Sequence, residues 1–211
     1  MTPSSRPSRA RLEELKQAQK AKERRTRILW ASGTMAFLLA IGGAVAFAVV
    51  RDTSNRPSLD AVRTYDVTAN HVTTEVEYEQ TPPVGGDHNP VWLNCGVYDE
   101  PVPNELAVHS LEHGAVWITH SPDLPAAEVE QLVDSVPDDY VVVSPFEGLP
   151  SPVVASAWGH QLELDGVDDP RLTEFIREYR QGPQTPEPGA ACTGGSDGTT
   201  TEGAGMDEPA S

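Results

Sequence analysis

His109-Ser110-Leu111-Glu112-His113 spells H-x-x-E-H. On a helix, His109 and His113 stand one turn apart on the same face. Two imidazoles so placed can share one metal ion, with Glu112 as a further ligand, as a group orienting a histidine, or as a base activating bound water. His88 follows Gly85-Gly86 in a loop constrained by Pro82, Pro83 and Asn89-Pro90. A rigid loop holds a ligand in place before the ion arrives, so His88 is the third candidate. Imidazole suits copper and zinc, and one of these is the ion expected. On a strand the geometry fails: His109 and His113 would lie about 13 Å apart by strand rise, too far for one ion about 2 Å from each. Each histidine would then be a hydrogen-bonded structural residue. The strand-like run after Gly114 means that any helix over the motif is short. His71, His120 and His160 carry no comparable signal.

Other reactive constellations are missing. There is no glycine-rich phosphate loop, no G-x-S-x-G elbow and no C-x-x-C pair, and the many carboxylates are unpatterned. The two cysteines, Cys95 and Cys192, are expected to pair if they face an oxidising compartment. The rival reading makes Cys95 a thiolate ligand. A disulfide closing a loop of that length contributes up to about 4–5 kcal/mol by the chain-entropy account.

The elements that must position these residues are legible in part. His71–Tyr78 alternates apolar and polar and predicts a half-buried strand. Val91–Tyr98 is a weaker extended candidate. Ala115–Thr119 and Tyr140–Ser144 read as buried strands, and Val153–Trp158 with Gln161–Leu164 as a strand pair turning near Gly159-His160. Pro125–Val136 reads as an amphipathic helix, with Pro125 in its first turn and Val129, Leu132, Val133 and Val136 on one face. Asp169-Pro170 opens a second, with Leu172, Phe175, Ile176 and Tyr179 inward. The expected fold is α+β: two amphipathic helices on a mostly antiparallel sheet, preceded by one transmembrane helix.

That last helix rests on Ile28–Val50, which contains no Asp, Glu, Lys or Arg. At 1.5 Å per residue the run reaches roughly 34 Å, enough to cross a hydrocarbon core. It is longer than the apolar region of a cleaved signal peptide, and Val49-Val50-Arg51 is a poor cleavage site. Residues 1–27 carry nine Lys or Arg against three Glu, a net +6, whereas residues 51–211 carry six Arg against 29 acids, a net −23. Basic flanks stay in the cytoplasm. The expected layout is a basic cytoplasmic tail (1–27), the membrane helix (28–50), a polar linker (51–64), an extracytoplasmic α+β domain (65–193) and a disordered acidic tail (194–211) in a single-pass plasma-membrane protein. The lipid bilayer is the one partner expected outright, with a membrane or envelope protein partner left unidentified. The acidic outer part argues against nucleic acid.

Two resemblances follow. Val108–Gly114 (VHSLEHG) locally resembles the zinc motif of pitrilysin- and insulysin-type peptidases, which implies His109 and His113 as ligands and Glu112 as base. Those enzymes are built from larger paired domains, and their further glutamate ligand would fall near Glu187, in a Pro-rich segment. Over Thr68–Thr193, PPVGGDHNPVW, NCGVY, VHSLEHGAVWI, VVVSP, ASAWG and FIREYRQGPQTPE together resemble the domain family DUF3105, found in actinobacterial and other membrane-anchored proteins. This implies one soluble domain behind one helix and brings no assigned reaction. Three readings stand open: a non-catalytic extracytoplasmic domain binding copper or zinc through His88, His109, His113 and Glu112; a structural or interaction module of the cell envelope without metal; and a metal-dependent hydrolase with Glu112 as catalytic base.

Overall fold

The computed structural model describes residues 9–54 and 56–199. The start of the expected basic tail, 1–8, and most of the expected acidic tail, 200–211, lie outside the described residues. The chain forms two compact units, Met1–Arg56 and Pro57–Ser211.

Within the described residues the first unit is one helix, α1 (Arg9–Ser54). It joins the Ala-, Leu-, Glu- and Lys-rich stretch to the apolar run without a break, since both consist of good helix formers. Its apolar segment is long and apolar enough to cross a bilayer. Leu29, Trp30, Phe37, Leu39 and Phe47 are all exposed; a helix apolar all round finds no match in water.

The second unit is α+β. Among its described residues, the six strands are β1 (Arg63–Thr64), β2 (Gly96–Val97), β3 (Val116–His120), β4 (Val141–Pro145), β5 (Val153–Ala157) and β6 (His160–Leu164), and the three helices are α2 (Asn104–Glu112), α3 (Ala126–Asp134) and α4 (Arg171–Tyr179). The sheet order is β1-β6-β5-β3-β4-β2. The sheet is mixed rather than mostly antiparallel. The pairs β1–β6, β6–β5 and β5–β3 are antiparallel, whereas β4 pairs parallel with both β3 and β2. The reason is α3: a helix between β3 and β4 returns the chain to the same end of the sheet, so the next strand runs parallel.

Strand alternation divides the core. Val116, Ile118, Val141, Val143, Val153, Ala155, Leu162 and Leu164 share one cluster with Leu132 of α3 and Leu172, Phe175 and Ile176 of α4. Trp117 and Val142, one position out of phase, share the other with Leu106, Ala107, Val108 and Leu111 of α2, and with Val91, Leu93 and Trp158. The two helices expected from periodicity thus cover one face. The third, α2, sits on the other face and carries the H-x-x-E-H motif.

Three further expectations meet different chain. The strand over His71–Tyr78 does not form; His71 alone makes a bridge, to His88. Among the described residues no strand pairs with this run, and the Val76 N–H goes instead to the Glu105 carboxylate at 3.0 Å. The expected linker ends in β1, which pairs with β6. At the other end, the chain stays against the domain past Gly194: Ser196 exchanges backbone bonds with Trp92 (2.8 Å) and Asn94 (2.8 Å).

Candidate metal centre

α2 is short, yet every residue from Leu106 to Glu112 is buried. Leu106, Val108 and Leu111 belong to the sheet-side cluster, so His109, Glu112 and His113 must be covered by something else. His113 caps the helix, its N–H bonded to the His109 carbonyl at 3.1 Å. Gly114 then takes φ +92°, a conformation that favours glycine. A side chain there would run into the Gln181 amide.

One cover is the loop from Val67 to Leu93. Residues 68–72 and 86–88 lie side by side: Gly86 N–H bonds Thr68 O (3.1 Å), His88 N–H bonds Asn70 O (2.9 Å) and Val72 N–H bonds His88 O (2.7 Å). Asp87 locks the pair by accepting from Thr68 Oγ1 (3.0 Å) and Asn70 Nδ2 (2.8 Å). These two bonds hold its pKa below the usual carboxylate range. Gly85 (φ +151°) is required by the close approach of Val67, whose Cγ2 would lie 2.6 Å from a Cβ at this position. This pairing sets His71 beside His88. The other cover is a strap, residues 181–196. Gln181 Nε2 donates to His113 O at 2.5 Å, and Glu187 N–H bonds Glu112 O at 3.1 Å. A disulfide joins Cys192 to Cys95, with Cα atoms 5.3 Å apart. Cys95 is therefore a strap anchor, and its reading as a thiolate ligand falls.

Three rings are locked in the same way. His88 Nδ1 faces Gly86 O at 2.7 Å, His109 Nδ1 faces Asn89 O at 2.6 Å and His113 Nδ1 faces Ala191 O at 2.6 Å. A carbonyl only accepts, so each Nδ1 carries the hydrogen and donates. In a neutral ring so held, Nε2 is the nitrogen left with a lone pair to give, and all three Nε2 atoms point inward. His109 Nε2 lies 2.9 Å from His113 Nε2, and His88 Nε2 lies 2.9 Å from Glu112 Oε2. His71 Nε2 reaches the same carboxylate oxygen at 3.4 Å, and His109 Nε2 at 3.9 Å. On the strap side, Glu187 Oε2 lies 3.6 Å from His113 Nε2.

The donor atoms of His71, His88, His109 and Glu112 all lie within 4.8 Å of one another. His88, His109, Glu112 and His113 are buried, with His88 wholly inaccessible, while the His71 side chain is 48% exposed and closes the centre at its rim. His71 stacks on His109 with ring centroids 4.9 Å apart and 11° between planes. Burial, above all, pushes the His109 pKa down to about 4; neighbouring His113 and His88 push the same way, against the Asn89 bond and Glu112. The ring is thus neutral, the form that ligates metal.

Of the residues singled out in the sequence, the fold gathers His88, His109, Glu112 and His113. His120 and His160 lie elsewhere, bonded through Nδ1 to Ser121 O (3.0 Å) and Trp158 O (2.8 Å). His71 carries no comparable signal in the sequence, and Glu187 enters there only as the place where the peptidase-like resemblance would put a further glutamate ligand. His71 opens a run that alternates like a strand, and its pairing with His88 is tertiary. Glu187 sits in a Pro- and Gly-rich segment, which carries no periodic pattern of its own.

Fold and site define an α+β domain with a buried histidine–carboxylate cluster that could hold a metal ion. The family described as "Protein of unknown function (DUF3105)" matches residues 71–194, more than half of the chain, and the protein belongs to this family. The matched region runs from His71 past Cys192 and so contains the whole cluster. No curated protein and no solved structure matches the chain.

Proposed function

We infer that this protein is a membrane-anchored, extracytoplasmic metal-binding domain whose ion is zinc or copper(II). One observation carries the reading: three buried imidazoles, each with its Nδ1 hydrogen committed to a backbone carbonyl, aim their Nε2 atoms at one another and at a carboxylate. Neutral rings so held offer no hydrogen to each other, and a buried convergence of acceptors alone is costly. A cation turns that cost into binding energy, and carbonyl-oriented histidines are the usual support for a bound metal. Imidazole and carboxylate without thiolate or thioether suit zinc and copper(II) rather than copper(I).

Glu112 is read as a ligand. A general base stands beside an ion and faces a bound water, whereas Glu112 Oε2 lies among the donor atoms, 2.9 Å from His88 and 3.4 Å from His71. This favours a binding role over hydrolysis.

The membrane reading is supported by the charge-free Ile28–Val50 run, and the orientation by the +6 charge before it. The Cys95–Cys192 disulfide fits an oxidising compartment beyond the membrane. Metal analysis of the full chain purified in detergent, after incubation with zinc or copper(II) and removal of free ion, tests the function. Wild type is expected to retain metal and a His88→Ala/His109→Ala variant to lose it; equal content in the two removes the reading. Protease added to intact cells tests the orientation, with cleavage expected in the carboxyl-terminal part. Protection of that part would reverse the assignment.

A further inference from the structure

We propose that the centre holds two metal ions rather than one, the second bound by His109, His113 and Glu187. This rests on the metal-binding reading and deepens it.

Each locked ring has a single nitrogen to give, so no imidazole can serve two ions. Two donors about 2.0–2.1 Å from a tetrahedral ion stand about 3.3 Å apart, and the observed spacings fall into two sets around that value. In the first, Glu112 Oε2 lies 2.9 Å from His88 Nε2 and 3.4 Å from His71 Nε2. In the second, His113 Nε2 lies 2.9 Å from His109 Nε2 and 3.6 Å from Glu187 Oε2. The link between the sets, His109 Nε2 to Glu112 Oε2, is longer at 3.9 Å. His109 is within reach of both, but its nearest donor is His113. Each set is two imidazoles and one carboxylate.

A single ion placed among His71, His88, His109 and Glu112 would leave His113 unexplained. His113 is not in that mutual group, yet it is buried and its Nε2 points at the Nε2 of His109. A second cation satisfies it. The two sets also share a plan. Each has one half-exposed member, His71 with its side chain 48% exposed and Glu187 with its side chain 54% exposed, so each ion has its own approach from solvent. Each carboxylate offsets one unit of the divalent charge, which lets two cations lie close together.

The test is a zinc titration of metal-free full chain in detergent, read as equivalents bound. Wild type is expected to bind two. Glu187→Gln, a change at an exposed position, should weaken one equivalent on the order of 10–100-fold and leave the other unchanged; His113→Ala should remove the same equivalent, and His71→Ala should weaken the other. Copper(II) loading gives an independent readout: wild type should show a spin-coupled, diminished electron paramagnetic resonance signal, and Glu187→Gln an uncoupled signal from one ion. One equivalent in wild type, unaltered by Glu187→Gln, would overturn the two-ion proposal and leave the metal-binding reading standing. No bound equivalent would sink both.

Discussion

The two faces of the sheet bury the same strands but are built by different means. On one, Val116, Ile118, Val141, Val143, Leu162 and Leu164 meet the apolar stripes of α3 and α4. On the other, Trp117 and Val142 meet α2, and α2 is roofed by a loop and a strap containing little regular structure. The first face needs only hydrophobic periodicity. The second buries three imidazoles and a carboxylate, so its backbone must be held by side-chain locks such as Asp87, by glycines at close approaches and by a disulfide. A face that only stabilises can be made of helices. A face that must present converging lone pairs needs chain that bends where a helix cannot.

If that contrast is right, the largest effect comes from cutting the staple. Cys95→Ser/Cys192→Ser opens a loop of 97 residues' separation and should cost up to about 4–5 kcal/mol in denaturant unfolding. The loss should be local in character: protease should nick residues 181–196 first, and the His113–Glu187 ion should be released before the other. Uniform loss of amide protection across both faces would break the contrast. Phe175→Ala comes next. Phe175 is fully buried on the apolar face, and its truncation should cost about 3–4 kcal/mol while zinc affinity in the surviving folded fraction stays as in wild type. A tenfold fall in that affinity would show that the two faces act as one.

The same contrast explains what was legible in the sequence. The strands β3 to β6 and the helices α3 and α4 announce themselves because burial against a regular partner writes a period into the chain. β5 and β6 fall within a residue or two of the expected segments. The H-x-x-E-H spacing and the Gly-Gly loop before His88 are also visible, since local geometry alone brings His109 near His113. The helix over that motif was not, because seven consecutive residues of α2 are buried and leave no polar stripe to reveal a period. His71 and Glu187 arrive through tertiary pairing, one by the bridge to His88 and one by a bond to the Glu112 backbone; no local pattern encodes either. The alternation of His71–Tyr78 misleads for a related reason: a period of two describes a strand only if a neighbour supplies the ladder.

A middle-sized effect sharpens the join between helix and strap. Gly114→Ala places a methyl group at φ +92° and against Gln181 and Thr185. The strained backbone alone should cost about 1–3 kcal/mol. Because Gln181 holds the His113 carbonyl, zinc binding on the His113 side should weaken as well. Unchanged zinc binding would mean that the strap is seated by the disulfide alone.

The smallest effect belongs to the apolar face and is read with pH. Asp169 stands just before α4 and accepts from the Arg171 backbone (3.0 Å) and guanidinium Nε (3.0 Å) and from the Asp165 N–H (3.1 Å). The bond from the Arg171 side chain, above all, holds the Asp169 pKa down to about 2 from an ordinary 3.8. A carboxylate whose folded pKa is depressed contributes its full stabilisation above the unfolded value and loses it as the folded value is approached. The contribution is therefore intact above pH 3.8 and fades as pH falls through about 2. It amounts to about 2 kcal/mol at most. Metal-free wild type and Asp169→Asn, compared by denaturant unfolding from pH 7 to pH 2, should differ by this amount at neutral pH and converge in acid. The histidines titrate alike in both proteins and cancel in the difference. A gap that stayed constant to pH 2 would place the worth of Asp169 in neutral hydrogen bonding, and the helical face would then owe nothing to charge.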